Sequence, residues 1–249
     1  TQHQETITKE FANFLDIAKE LCDEYSEEDA EYDGIPFLYQ IESSYMLSEA
    51  YMRYRTADDI SLLKEYIEKG LISVSGSKYN VSLEALGTEE AVRMMYQTNR
   101  YLVDNLGLEH SSMMRMVDNP SVSKGTVDVM AGSGIKYIVT GFNGGRAPFY
   151  KENNIAAYYM TGSNPNNKVL VVNLPHYNHS YNLMDGGDYT YNNQAAFQEI
   201  MNTFSTIEED GYPFDVIPVA LVARGDNTAP MKDPTEHVNE FNQYMNDLG

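Results

Sequence analysis

Tryptophan is absent from the 249 residues, and cysteine occurs once, as Cys22. A single cysteine excludes an internal disulfide framework. Its place among the apolar positions of a helical segment marks it as a core residue rather than a nucleophile. Positive charge is also scarce: 17 Lys and Arg stand against 37 Asp and Glu, a formal charge of −20. That balance argues against nucleic acids and anionic membranes as partners. No apolar run reaches the roughly 18 residues a membrane helix needs, and no signal peptide stands at the start. A soluble chain is expected, cytoplasmic or extracellular, and the start at Thr1 suits a mature product or an excised piece. No Gly-x-Gly-x-x-Gly follows a strand, and neither a P-loop nor Gly-x-Ser-x-Gly occurs, so nucleotide cofactors and serine hydrolase chemistry lack support. Tyrosine is plentiful at 20, a composition permissive for carbohydrate contacts.

The length suits one large α/β domain, and the whole span 1–249 is read as a single domain. Apolar spacing predicts an amphipathic helix from Thr6 to about Tyr25 through Phe11, Phe14, Leu15, Ala18 and Leu21. Pro36 to Ile41 reads as a strand, and Tyr45–Tyr54 and Asp58–Glu68 as helices closed by Gly70. The organising stretch is Leu71 to Asp118. In it Leu71-Ile-Ser-Val-Ser75 is a strand, and Thr88 is the expected N-cap of a helix with Glu89 and Glu90 in its first turn. That helix shows an apolar face of Val92, Met95, Tyr96, Leu102, Val103 and Leu106, and Gly107 stops it. Met113 to Val117 has the nearly continuous apolar character of a buried strand and delivers Asp118-Asn119-Pro120. A short helix over 121–131 and a strand over Ile135–Thr140 come next. A Gly- and Asn-rich loop then runs over 141–154, followed by strands at 156–161 and 168–174. A polar loop over 175–193, a helix around Ala196–Ile207, a strand at Val216–Ala223 and a last helix, Pro234–Leu248, complete the chain; the last helix should bury Val238, Phe241, Met245 and Leu248. The alternation argues for a mainly parallel sheet covered by helices. Such a domain normally opens with a strand, and here that strand is missing.

Three strand ends carry candidate chemistry: Asp118, Asp226, and the pair His176 and His179. Two carboxylates from different strand tips meeting in one cleft are what glycoside hydrolysis needs, one for the sugar cation and one for the leaving oxygen. Asp-Asn-Pro and Gly-Asp-Asn are also ordinary turn and capping sequences, and that reading stays open on spacing alone. The histidines are three apart, a metal-ligand spacing only on a helix. Pro175 and the surrounding Asn and Tyr place them in a loop, where sugar contact or solvation is the better reading.

The segments Leu71-Ile-Ser-Val-Ser-Gly-Ser-Lys-Tyr-Asn-Val81, Gly87-Thr-Glu-Glu-Ala-Val-Arg93, Asn99-Arg-Tyr-Leu-Val103, Met116-Val-Asp-Asn-Pro-Ser-Val-Ser123 and Ala131-Gly-Ser-Gly-Ile135 follow one another along the chain. Taken in that order, they resemble the N-terminal catalytic domain of glycoside hydrolase family 38, the α-mannosidases. The resemblance implies an incomplete (β/α)7-type barrel lacking its first strand, and a zinc-dependent retaining hydrolase of terminal α-mannosidic bonds in mannose-containing oligosaccharides. By that match Asp118 is nucleophile and zinc ligand, and Asp226, in Arg224-Gly-Asp-Asn-Thr-Ala-Pro230, is the general acid/base. Tyr79, Asn80, Glu89, Tyr177 and Asn227 become sugar contacts. Of the family's zinc ligands the chain then holds one, so zinc is not expected to stay bound and the fragment alone is expected to be inactive. Oligomerisation would run through the parent chain. Pro120-Ser-Val-Ser123 departs from the family's Phe-Gly-His-Ser and alters the pocket floor. The rivals are a non-catalytic carbohydrate-binding fragment and a polysaccharide deacetylase-like barrel. The deacetylase would want an Asp-Asp pair and a His-x-x-x-His on one helix, and no His-x-x-x-His occurs.

Overall fold

The computed structural model describes residues 2–26, 33–118, 122–141, 157–174, 192–209, 211–216 and 229–249. Helix α1 (Gln2–Glu24) leads to a short strand β1 (Tyr39–Ile41). A π-helix, Met46–Tyr51, runs on into a single α turn, α2 (Met52–Tyr54). Then come α3 (Ala57–Glu68), β2 (Ile72–Val74), α4 (Thr88–Leu106), β3 (Met113–Val117), α5 (Lys124–Gly132) and β4 (Tyr137–Gly141). Strands β5 (Ala157–Thr161) and β6 (Lys168–Leu174) precede α6 (Asn193–Glu209) and α7 (Asp233–Leu248).

Strand β1 pairs in parallel with β2, and a second sheet has the order β3-β4-β6-β5. In that sheet β3, β4 and β6 are parallel, while β5 returns antiparallel beside β6 through the loop 162–167. The seam between the sheets is closed by bonds from both sides. Ser111 Oγ donates to Val74 O at 2.6 Å, Gly76 N–H to Met113 O at 2.7 Å, and Arg115 N–H to Ser75 Oγ at 3.1 Å. Gly76 is required there, because a Cβ on it would lie 2.4 Å from Ile135 Cδ1 and 3.2 Å from Met113 O. The result is a mixed α/β fold, rich in parallel strands, with the described strands in two sheets.

Two apolar cores back these sheets. One joins Ala12, Leu15, Ala18 and Leu21 of α1 to Ile41, Leu47, Leu63 and Ile72. The other joins Met95 of α4 and Val127 and Met130 of α5 to Met114, Met116, Ile138, Val169 and Val171 of the sheet. Each fully buried Leu or Ile contributes about 1.5–3 kcal/mol. Cys22 is a fully buried part of the first core, as its apolar context implies.

A polar knot fixes the π-helix to α1. Lys19, almost wholly buried, donates to Tyr51 Oη at 2.6 Å, Tyr51 donates to Asp16 Oδ1 at 2.9 Å, and Arg55 Nε donates to Asp16 Oδ2 at 2.6 Å. Burial pushes the Asp16 carboxyl up, but the bonds from Arg55, Tyr51 and Lys19 outweigh it and hold it below the usual range.

Several expectations shift. The π-helix replaces the front of the helix expected over Tyr45–Tyr54. Thr88 is the first residue of α4 and Gly87 is its N-cap, with the Gly87 N–H bonded to Glu90 Oε2 at 2.8 Å. The buried face of α4 is Ala91, Met95, Thr98, Asn99, Leu102 and Leu106, so Val92, Tyr96 and Val103 are exposed. In α7 Met245 and Leu248 are exposed as well. The strand expected at Val216–Ala223 lies, apart from Val216, outside the described residues, as do nearly all of the two long loops. Among the described residues no helix is long and apolar enough to cross a membrane.

Candidate functional site

Strand β3 ends at a backbone singularity. The Asp118 N–H extends the ladder to Gly141 O at 2.8 Å, and the residue then adopts φ 64°, the one positive φ among the described non-glycine residues. Left-handed backbone at a side chain costs on the order of 1 kcal/mol or more and persists where surrounding structure enforces it, often at functional sites. The Asp118 Oδ1 atom is buried and has no hydrogen-bond partner.

The loops after β1 and β2 run beside this strand tip. Their pairing continues beyond the strands, with Ser75 N–H on Ile41 O, Ser44 N–H on Ser77 O and Tyr45 N–H on Lys78 O, each at 3.0–3.1 Å. This ladder places Glu42, the first residue after β1, close to Asn80 at the end of the second loop. Asn80 Nδ2 donates to Glu42 Oε1 and to Val117 O, both at 2.8 Å. Burial pushes the Glu42 carboxyl above its ordinary value; Arg115 and the bond from Asn80 pull it down, and Asp118 adds a further push upward. Glu42, Asn80, Arg115 and Asp118 thus form one electrostatically connected group at the C-terminal ends of parallel strands, where α/β folds place their sites. Beside it, the Tyr45 and Tyr79 rings lie 5.5 Å apart, Tyr79 is 42% exposed, and Lys78 sits over the Tyr79 ring.

Buried polar atoms without a partner are rare in folded proteins. Among the described residues seven side-chain atoms have none, and five of them belong to Asn80, Arg115, Asp118, Thr140 and Asn173, at or near the C-terminal ends of these strands. Thr140 and Asn173 face each other in register on β4 and β6. Asn80 Oδ1 and Asp118 Oδ1 are acceptors and Arg115 Nε is a donor. A ligand bearing several hydroxyl groups, each able to donate and accept, is complementary to such a set.

Of the residues expected from the sequence, Asp118 and Asn80 are brought together, and Tyr79 is the chain neighbour of Asn80. Glu89 joins Arg93 instead, at 2.8 Å, with both side chains mostly exposed in the first turns of α4. Asp226, Asn227 and Tyr177, like His176 and His179, lie outside the described residues. Glu42 and Arg115 were missed, although Glu42 follows an apolar strand end just as Asp118 does. Among the described residues no group of three or more His, Cys, Asp or Glu could hold a metal. The described residues therefore do not fit a zinc ion by themselves. A cleft of about 560 Å³ lies at the opposite end of β2 and β3, lined by Glu68, Leu102, His110, Ser111 and Ser112 among others, away from Asp118.

No family model matches the chain, and no curated protein matches it. Its fold is similar to that of an α-mannosidase from Enterococcus faecalis V583, with TM-score 0.61 at 13% identity over 99% of this chain and 27% of that one. It is also similar to a protein in glycosyl hydrolase family 38 from Enterococcus faecalis, with TM-score 0.54 at 12% identity over 96% of this chain and 25% of the other. A 4-alpha-glucanotransferase from Thermococcus litoralis gives TM-score 0.54 at 16% identity over 87% of this chain and 30% of that one. At these identities the likeness is one of fold. The chain spans roughly a quarter to a third of the length of each of these structures.

Proposed function

We propose that residues 1–249 form a single piece of the catalytic domain of a retaining glycoside hydrolase resembling the family 38 α-mannosidases, acting on terminal α-mannosidic bonds of oligosaccharides. The observation that carries this reading is the Asp118 carboxylate. It sits on left-handed backbone at a parallel strand tip, with a buried oxygen that no protein group satisfies. The fold shared with carbohydrate-active enzymes supports it. The barrel geometry of such enzymes belongs to the same proposal.

Asp118 attacks the anomeric carbon, the bond from that carbon to the leaving oxygen breaks, and a glycosyl-enzyme ester forms. Asp226 delivers its proton to the departing oxygen and then takes one from the water that cleaves the ester. Asn80 and Arg115 offer an acceptor and a donor to the sugar hydroxyls, and Tyr79, Tyr177 and Asn227 add contacts around the ring. Zinc, implied by the resemblance, would draw on Asp118 as one ligand, whereas bond cleavage and ester hydrolysis use only the chain's own carboxylates.

Incubation of the intact parent enzyme with a fluorinated mannosyl fluoride that forms the ester but turns over slowly, followed by peptide mapping, tests the assignment. The expected result is a mannosyl adduct on the peptide carrying Asp118, lost in Asp118→Ala. An adduct on another carboxylate overturns it. Mannoside binding with no adduct supports the carbohydrate-binding alternative.

A further inference from the structure

A primary amide has two N–H groups, and Asn80 commits both inside the protein, to Glu42 Oε1 and to Val117 O. Turning the amide over would set its carbonyl oxygen against two acceptors, so hydrogen-bond chemistry fixes its orientation. Asn80 Oδ1 is thereby committed to a buried spot where no protein donor meets it. The anchors differ in kind. Val117 O belongs to the strand that carries Asp118, whereas Glu42 belongs to the loop after β1, which is laddered to the loop holding Asn80 by the bonds at Ser44, Ser75 and Tyr45. With Val117 alone, the amide could swing about its χ2 torsion, which is broad for asparagine.

We infer that Glu42 is a positioning residue of the sugar site: its Oε1 holds Asn80 so that Asn80 Oδ1 and Asp118 Oδ1 together accept hydrogen bonds from hydroxyls of a bound glycoside. This rests on the proposed function. It adds that Asn80 selects for a hydroxyl able to donate, and that this selectivity is imposed through Glu42. A sugar in which that hydroxyl is replaced by hydrogen or fluorine cannot donate, and the site loses one of its two acceptor contacts.

The test uses the 249-residue chain, labelled with ¹⁵N, the variants Glu42→Gln, Glu42→Leu and Asn80→Ala, and methyl α-mannoside with its monodeoxy and monofluoro analogues. In the native protein both side-chain amide protons of Asn80 should exchange slowly. Glu42→Gln keeps an acceptor oxygen and preserves this protection, whereas Glu42→Leu frees one proton. In binding titrations, one analogue should bind the native protein about tenfold more weakly than the parent sugar, the scale of one hydrogen bond. Glu42→Gln should retain that discrimination, while Glu42→Leu and Asn80→Ala, which removes the acceptor itself, abolish it. A merely structural role predicts instead that Glu42→Leu weakens every sugar by the same factor, and that result overturns the inference. Fast exchange of the native Asn80 amide does so too. Should Glu42→Leu fail to fold, discrimination persisting in Asn80→Ala still refutes it. A native protein that protects the Asn80 amide in a Glu42-dependent way yet binds no mannoside points to failure of the proposed function rather than of the Glu42–Asn80 contact.

Discussion

Replacing Asp118 by glycine should make the protein more stable while removing its chemistry. At φ 64° a side-chain-bearing residue is strained, and glycine relieves a cost of about 1 kcal/mol. The change also deletes the Oδ1 acceptor that is buried without a partner, a penalty of roughly 1–3 kcal/mol. Against these gains stand the greater freedom of glycine in the unfolded chain, up to about 1 kcal/mol, and the small packing loss of a half-buried short side chain. The balance is a gain of about 1–2 kcal/mol. For a chain of this size each kcal/mol moves Tm by about 2–4 °C, so Tm should rise by roughly 2–8 °C. Asp118→Ala removes the same acceptor, keeps the strain and avoids glycine's extra freedom in the unfolded chain, so it should fall below Asp118→Gly by the strain less that freedom, at most about 1 kcal/mol. Equilibrium urea unfolding with unchanged m-value, alongside a thermal melt, is the assay. If Asp118→Gly is instead less stable than the native protein by about 1 kcal/mol or more, Asp118 has a structural partner. The view that its strain and bare oxygen are retained for function would then be wrong.

Three further outcomes are expected. The Glu42 carboxyl is raised above 4.5 by burial, so the folded state holds its proton more tightly than the unfolded chain. That stability is full below pH 4.5 and is lost as pH rises through the folded value. Glu42→Gln should match the native protein at low pH and exceed it above that window, the gap opening by at most about 1.4 kcal/mol per pH unit; a pH-independent gap in urea titrations speaks against it. Gly76→Ala should cost about 1–3 kcal/mol, because its methyl would meet Ile135 and the Met113 carbonyl at the seam of the two sheets; an unchanged Tm would show that the seam yields. Burial pushes the Cys22 thiol up to about 12, so a thiol reagent at about pH 8 should label it only in denaturant, and rapid labelling of the native protein would contradict its place in the core.

Local signals carried the parts of the fold that local chemistry decides. Gly107 ends α4 in the left-handed conformation, and Gly70 does the same after α3. The apolar run Met113–Val117 became the strand that bears Asp118. What the sequence hid depends on tertiary partners. The π-helix has no sequence mark of its own; its last residue, Tyr51, is set by Asp16 and Lys19 across 35 and 32 positions. The buried face of α4 was misread because it uses polar residues whose bonds come from elsewhere. Thr98 pairs with Ser44 at 2.9 Å, and Asn99 donates to Ser133 O and accepts from Ser111 N–H. Strand-end logic singles out Asp118 and the family resemblance singles out Asn80, and the structure sets the two at one strand tip, where their chemistry belongs to the proposal. Glu42 carries no such mark, because β1 is only three residues long and its end has no extended apolar run to announce it.

Whether the bare oxygens at the tip of β3 face a sugar decides the functional assignment. A high-resolution crystal structure of the chain soaked with methyl α-mannoside, compared with the same crystals unsoaked, tests this most directly. The prediction is a sugar at the strand tips, with hydroxyls donating to Asp118 Oδ1 and Asn80 Oδ1 and the Asp118 backbone unmoved. Sugar bound elsewhere, or a protein donor found on Asp118 Oδ1 in the unsoaked crystals, would contradict it.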